Sequence, residues 1–510
     1  MFTRTSGRSP YLLFAALALW IVLATAVWRP LIWPDFNPMI MNDGDTPLYV
    51  SYALNLVKCS FFISRGVMTN AIGWDCQSPV VGQAINHYLD HPPGMAWILS
   101  VFVANSDQPI AVARIVECVF SAGTLILCAL IAARAVSTVA AIGVLLSSTL
   151  VPLFWFHAVS INLNQAALFF SVLTVGAVLE HQRSRHTGWL LLSLGAFVAG
   201  GLTDWPTFFI AGPIFLWHLY LRQWGAAMAF LVVGVATLAA ILIGFNGLTD
   251  NTNYPFNVAQ FFKGVFVDQH NFKNAPHLIP FREALWNSFM IMGSVMSFGA
   301  ALLLFPVTII FNARLRARYA VLGLFFACFL TQGLLNQVLF HQWAASHNYW
   351  TYYYLPAIFM SGGLLLDAMW TWADGRRRIL FIILVGAAAF CAWQMFQKNR
   401  GWWVDYSTAP PSQMEYLRGY GLEGMLASDA ILLAKDQEPF FGQGAKLRLT
   451  FVHSLHRLES AASLGCSNAY TIFKNSHLSP AARMALPKGT VLETYDWYVI
   501  PQNYMNPSCF

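Results

Sequence analysis

The sequence predicts an all-α polytopic membrane protein of about 11 transmembrane helices, followed by a small C-terminal soluble domain of α/β or α+β type. Three observations carry this. Of 510 residues, 57% are hydrophobic and 10% charged, with a mean hydropathy of +0.54, whereas soluble domains are near half apolar and about a quarter charged. The apolar residues gather into runs long enough to cross a bilayer. The short loops between these runs carry arginine on every second turn only, so that all of them fall on one side, as the positive-inside rule requires of a cytoplasmic face.

Arg4 and Arg8 precede the first run, Tyr11 to Trp28. Bulky Trp28-Arg29-Pro30 offers no small-residue cleavage site, so this run is read as a retained helix and not a secretory signal. After a polar loop over 29–108 come Pro109 to Ala133, Val136 to Phe154, Gln165 to Leu179, Trp189 to Thr203, Thr207 to Leu221, Ala226 to Phe245, Trp286 to Phe311, Tyr319 to Phe340, Tyr352 to Trp372 and Ile379 to Gln394, which makes eleven crossings. The N-terminus, Arg134, the 180–186 loop, Arg222, Arg314 to Arg318 and Arg376 to Arg378 share the cytoplasmic side. The first loop, the Asp204 turn, the 246–283 loop, the His347 loop and the tail share the external side, which also holds every lysine. The net charge of +6 is therefore a topology signal spread over short loops, and nucleic-acid binding is set aside.

From about Lys398 the composition turns polar, which divides the chain into a membrane domain over 1–396 and a soluble domain over 397–510. Ala430 to Ala434, Thr450 to Val452 and Val491 to Ile500 read as strands and Ser479 to Ala485 as a helix. Cys59 with Cys76, and Cys466 with Cys509, lie pairwise on the external side, where either a disulfide or free buried thiols fit.

The stretch from Met41 to Gly94 concentrates the polar groups. Asp43, Asp45, Asp75 and Asp90 gather there, with Asp35 just upstream, in a chain poor in charge. Asp45 stands four residues before Tyr49, at the start of a short amphipathic helix with Leu48, Tyr52 and Leu56 on one face, where a carboxylate can cap the helix. His91-Pro92-Pro93 forces an extended chain and releases it into Gly94 to Asn105, an apolar run too short to span a bilayer and suited to lying at its surface. No Gly-rich phosphate loop, zinc-spaced cluster or Ser-His-Asp motif stands out.

An Asp shortly before a Tyr, surface-lying helices and then His-Pro-Pro in the first external loop resemble the lipid-linked-sugar glycosyltransferases of the GT-C superfamily, the group of protein O-mannosyltransferases and the aminoarabinose transferase of lipid A. The resemblance implies the GT-C fold and an inverting transfer from a polyprenyl-phosphate sugar to an acceptor hydroxyl of lipid A or lipopolysaccharide, another glycan or a protein. It implies Asp45 as the catalytic base. This chain has Thr46 where the family usually has a second acid, which keeps Asp43 open as the alternative. Arg114 matches the family's arginine after the Pro-Pro element: it either binds the donor phosphate or pairs with Glu117, three residues on. His91 and His347 are assigned to the lipid phosphate, and Tyr49 to the substrate side of the loop. Asp204 stands where many relatives have Lys. It can cap the next helix, bind a sugar hydroxyl or offset Arg114.

The activated donor supplies the energy, so no cofactor is required. A divalent metal is compatible with the carboxylates but has no ligand-spaced set behind it; His341 and His347 alone do not make a site. The partners expected are the lipid-linked donor, the acceptor and membrane lipids, in the inner membrane of a bacterium, with the N-terminus cytoplasmic and the C-terminal domain periplasmic. The rival from another class is a transporter or flippase of a lipid-linked glycan, which would show matched half-repeats and polar groups at the midplane, whereas here they collect at one face. The topology is testable: a reporter active only in the periplasm is expected to be active when fused after Phe396 and silent after Arg378.

Overall fold

The computed structural model describes residues 10–32, 49–50, 52–54, 56–57, 91–249, 280–296, 298–341, 344 and 348–372, with strands at 431–434, 448–451, 469–474, 492–493 and 497–501. The chain divides into two compact units. Met1–Ile32, Arg114–Ile243 and Phe256–Trp403 make one; Trp33–Ala113, Gly244–Pro255 and Val404–Phe510 make the other.

The helices are α1 Pro10–Ile32, α2 Gly94–Val103, α3 Pro109–Ala135, α4 Thr138–Ser147, α5 Pro152–His157, α6 Leu163–Ser184, α7 Thr187–Thr203, α8 Ala211–Tyr220, α9 Trp224–Thr249, α10 Phe281–Met296, α11 Phe298–Leu302, α12 Leu304–Phe311, α13 Ala313–Tyr319, α14 Gly323–Leu339 and α15 Leu355–Trp372. Tyr11–Ile32, Pro109–Ala135, Leu163–Ser184, Trp224–Phe245 and Ala313–Leu339 are each long and apolar enough to cross a membrane, which makes this a multi-pass membrane protein. The run from Ile379 to Gln394 lies outside the described residues.

The helix ends follow the sequence pattern, and the breaks follow local chemistry. Val136 to Phe154, expected as one run, is broken: α4 ends at Ser147, Ser148–Leu150 is a 3-10 turn, and α5 begins at Pro152. Ser147, Ser148 and Thr149 each donate to the carbonyl three residues back, at 2.7 Å, and Pro152 has no N–H to continue the ladder. Trp286 to Phe311 is likewise broken, at Leu303 between α11 and α12, while Ser297 between α10 and α11 lies outside the described residues. On the arginine-bearing side, Arg185 closes α6 in the left-handed conformation at φ 60°, its N–H donating to the His181 carbonyl at 2.7 Å.

Within the first unit, α1 buries Trp20, Ala24, Trp28 and Leu31 along one stripe and leaves Tyr11, Phe14, Leu19 and Val22 exposed, as a lipid-facing helix does. Trp20 and Trp28 pack edge to face at 5.9 Å. Their indole N–H groups donate to Ser148 Oγ at 3.2 Å and to the Trp155 carbonyl at 2.9 Å.

A close backbone contact joins α4 to α15. A Cβ on Gly143 would lie 2.8 Å from the Gly363 Cα, and one on Gly363 would lie 2.5 Å from the Ala140 carbonyl oxygen. Two backbones can approach this closely in a membrane only through small residues. At the arginine-bearing end of this seam the fully buried Asp367 on α15 accepts from Ser137 Oγ at 2.5 Å, Arg318 Nη2 at 2.6 Å, Arg318 Nε at 3.0 Å and Tyr319 O–H at 3.0 Å. Ser137 in turn caps α4 by accepting from the Ala140 N–H at 3.1 Å.

In the second unit, the described residues of 49–57 are helical and bury Tyr49, Val50, Tyr52, Ala53 and Leu56, among them Tyr52 and Leu56 of the expected face; Leu48 and Asp45 lie outside the described residues. α2 buries Met95, Ala96, Leu99 and Val103 and exposes Val101 and Phe102. The C-terminal strands β1 Ile431–Ala434, β2 Arg448–Phe451, β3 Ala469–Lys474, β4 Leu492–Glu493 and β5 Trp497–Pro501 form one mixed sheet in the order β2-β1-β3-β5-β4. β1 pairs in parallel with β2 and β3, β3 antiparallel with β5, and β5 antiparallel with β4. β3 was not expected, and Val491 to Ile500 is two strands, not one. The helix expected over Ser479 to Ala485 and the cysteines Cys59, Cys76, Cys466 and Cys509 lie outside the described residues.

Replacing Gly363 by Val forces backbone apart at the seam and is expected to lower stability by about 3 kcal/mol, at the upper end for an overpacked core. Gly195→Ala, where a Cβ meets nothing within 4 Å, should leave the melting temperature of the detergent-solubilised protein unchanged or raised. Equal melting temperatures for the two variants would refute the seam.

Candidate active site

Arg114 lies near the N-terminal end of α3, five residues after Pro109 opens the helix. Spacing then puts Arg114, Glu117 and Ser121 on one face, three and four residues apart. All three are buried. Arg114 Nη1 donates to the Ile32 carbonyl at the end of α1, 3.0 Å away. Neither oxygen of Glu117 has a hydrogen-bond partner among the described residues, although the Asn162 backbone N–H faces the carboxyl. The hydrogen-bonded Arg114–Glu117 pair offered by the spacing is therefore not made.

The next layer is the polar turn between α5 and α6. His157 lies edge-on to the Tyr352 ring at 5.0 Å, and Tyr352 shares a hydrogen bond with Ser121 at 3.2 Å. Gln165 Nε2 ties the turn by donating to the His157 carbonyl and, at 3.0 Å, to that of Ser160. Asn162 caps α6 by accepting from the Leu163 N–H at 2.6 Å. Burial lowers the His157 pKa to about 3, so this imidazole is neutral near pH 7 and brings no positive charge to an anion.

Tyr353, beside Tyr352 in the 3-10 segment Asn348–Tyr354, donates to Asp204 Oδ2 and lies 3.3 Å from Asn164 Oδ1. Asp204 is 2% exposed, and its Oδ1 accepts from the Trp205 N–H at 2.9 Å, capping the 3-10 turn Trp205–Ile210. The capping reading of Asp204 is thus realised, with a tyrosine hydroxyl as second partner. α14 adds Gln332, which donates to Ser171 Oγ at 3.0 Å and to the Pro206 carbonyl at 3.2 Å, and Gln337, which donates to Ser288 Oγ at 2.9 Å and accepts from Tyr354 at 2.8 Å. His341 packs edge-on against Phe281 at 4.9 Å. Among the described residues no group of three or more His, Cys, Asp or Glu could hold a metal ion.

The structure thus brings Arg114 and Glu117 into one polar layer with groups that spacing alone had not assembled: His157, Asn162, Gln165 and Tyr353. Polar residues clustered between two apolar runs, as in His157-Ala-Val-Ser-Ile-Asn-Leu-Asn-Gln165, are the signal that marks such a layer. Tyr49 and His91 belong to the second unit. Tyr49 is buried edge to face with Tyr52 at 6.0 Å, and His91 is half-buried in the bend before α2. Asp43, Asp45 and His347 lie outside the described residues.

Among solved structures, ArnT from Cupriavidus metallidurans bound to undecaprenyl phosphate is similar to the chain with a TM-score of 0.63 at 12% identity, over 96% of this chain and 98% of that one. The apo state of the same protein gives 0.62 at 13% over the same shares. The chain has the GT-C fold. A second GT-C structure, the oligosaccharyltransferase AglB from Archaeoglobus fulgidus in complex with an inhibitory peptide and a dolichol-phosphate, is similar with a TM-score of 0.52 at 12% identity over 91% of this chain and 69% of that one. No protein-family model and no curated relative matches the sequence. Within this GT-C bundle Asp204 offers a direct test. Asp204→Ala removes a cap and the Tyr353 acceptor together and should cost about 1–3 kcal/mol in thermal unfolding, while Asp204→Asn keeps both contacts and should cost less. A stably folded Asp204→Asn variant that has lost transfer would assign the side chain to substrate instead.

Proposed function

We propose that the protein is an inverting glycosyltransferase that moves a sugar from a polyprenyl-phosphate donor to an acceptor hydroxyl on the periplasmic face of a bacterial inner membrane. The observation that carries the reading is the fully buried Arg114 within an apolar helix beside a polar turn. An intramembrane cation of this kind marks a path for anions, and the similar ArnT structure is bound to undecaprenyl phosphate. The acceptor is lipid A or lipopolysaccharide, another glycan or a protein.

In this mechanism Asp45, with Asp43 as alternative, takes the proton of the attacking hydroxyl while the bond from C1 to the phosphate oxygen breaks. Arg114 holds the departing phosphate by charge and hydrogen bonds. His91 and His347 support the lipid phosphate, and Tyr49 and Asp204 shape the substrate side. The donor phosphodiester supplies the driving force, so no cofactor enters. The membrane domain over 1–396 crosses eleven times, with the N-terminus cytoplasmic and the 397–510 domain periplasmic. Mass spectrometry of membrane glycans and lipid A from a deletion strain identifies the product: one lost modification, restored by the wild-type protein, is expected. In that assay purified Asp45→Asn should transfer roughly 10² to 10⁴-fold more slowly while still binding undecaprenyl phosphate, with Asp43→Asn milder. Activity in both variants would remove the mechanism; a dead Asp43→Asn beside a normal Asp45→Asn would exchange the two carboxylates.

A further inference from the structure

Glu117 is a buried carboxyl that these roles leave unused. It stands one helical turn from Arg114, and neither of its oxygens has a hydrogen-bond partner among the described residues. Around it are Arg114 and Cys118 on its own helix, Tyr352 from the 3-10 segment, and the 157–162 turn with neutral His157 and the Asn162 backbone N–H. A carboxyl inside an apolar bundle is costly unless something meets it, and Arg114 does not do so by a direct bond.

The chemistry of transfer supplies what meets it; this step rests on the reading of Arg114 as the phosphate-binding cation. The donor is a phosphodiester with one negative charge. As the bond from C1 to the phosphate oxygen breaks and the bond from C1 to the acceptor oxygen forms, the acceptor proton goes to the loop carboxylate and the lipid is left as a phosphomonoester with a second negative charge. A carboxylate and a phosphate are both acceptors only, and two such anions a helical turn apart in a low dielectric cannot both stay fully ionised. We propose that Glu117 is the proton partner of the departing lipid phosphate, its carboxyl donating to the phosphate oxygen freed from C1 so that the two share one proton in front of Arg114. The products are then a glycosylated acceptor, a protonated loop carboxyl and a lipid phosphate that leaves as the monoanion. Glu117 regains its proton from water when the lipid departs, as the loop carboxyl gives one up.

The test is the ³¹P resonance of undecaprenyl phosphate bound to the purified full-length protein in detergent, followed from pH 5 to 9, since the shift reports whether the phosphate is mono- or dianionic. Arg114 alone would pull the titration midpoint of the bound lipid below that of the free lipid in micelles. A proton shared with Glu117 places it above, and Glu117→Gln should lower it by about one pH unit or more. A wild-type midpoint below that of the free lipid overturns the inference, even if Glu117→Gln does not fold; so does an unchanged midpoint in Glu117→Gln. Absence of a bound resonance, or one that survives in Arg114→Gln, counts instead against Arg114 as the phosphate site.

Discussion

The architecture depends on how α15 is held against α4. Asp367 is a carboxylate with no exposure to solvent, and such a group is tolerated only when its lone pairs are filled. Four donor contacts from Ser137, Arg318 and Tyr319 fill them, and these residues come from two chain segments that α15 joins. From there outward the glycines at 143, 362 and 363 remove side chains from between the helices, so that α15 can run only where backbone meets backbone. The first turn of α15 is continuous with the 3-10 segment carrying Tyr352, Tyr353 and Tyr354. An ion pair on the arginine-bearing side thereby fixes where three tyrosine hydroxyls arrive at the other end, at Ser121, at Asp204 and Asn164, and at Gln337.

The tyrosine layer is built differently from the Asp367 clamp. It relies on amides and hydroxyls, whose hydrogen bonds each contribute modestly but are expensive to leave unmade. Gly333 on α14 shows how closely the layer is fitted: a Cβ there would lie 2.6 Å from the Tyr354 ring, so the glycine is what lets Tyr354 reach Gln337. Interhelical polar bonds of this kind hold one arrangement of helices against alternatives where lipid provides no hydrophobic drive between them.

Much of the bundle was legible in the sequence because hydropathy and arginine position both report the membrane. Pro109 and Thr203 read as span ends from the sequence and are helix ends in the structure. The breaks were not legible in the same way: a hydropathy run from Val136 to Phe154 does not register that three consecutive hydroxyls turn back on their own carbonyls. In the tail, Ala469–Lys474 is short and mixed in polarity, and its place in the sheet is set by partners on both edges, β1 and β5, which no local pattern specifies. At the site, the burial of Arg114 was readable from a charge in an apolar run. The relation of Glu117 to it was not, because spacing brings two side chains to one face without choosing their rotamers.

The position of Asp204 connects these points. Many proteins of the resembled family have a lysine there, and this chain has instead an acid whose two oxygens are engaged by the Trp205 N–H and the Tyr353 hydroxyl. On the proposed reading, a lipid phosphate meets one cation fewer than in such relatives, and His157, neutral by burial, does not replace it. A second negative charge on the phosphate then has no second positive charge to balance it. In a low dielectric the alternative to a counter-ion is a proton. Glu117, one turn from Arg114 and facing only the Asn162 N–H without a made hydrogen bond among the described residues, is a group that can hold that proton. An acid at 204 and an acid at 117 are then two sides of one adjustment, in which charge balance by lysine gives way to charge balance by proton sharing.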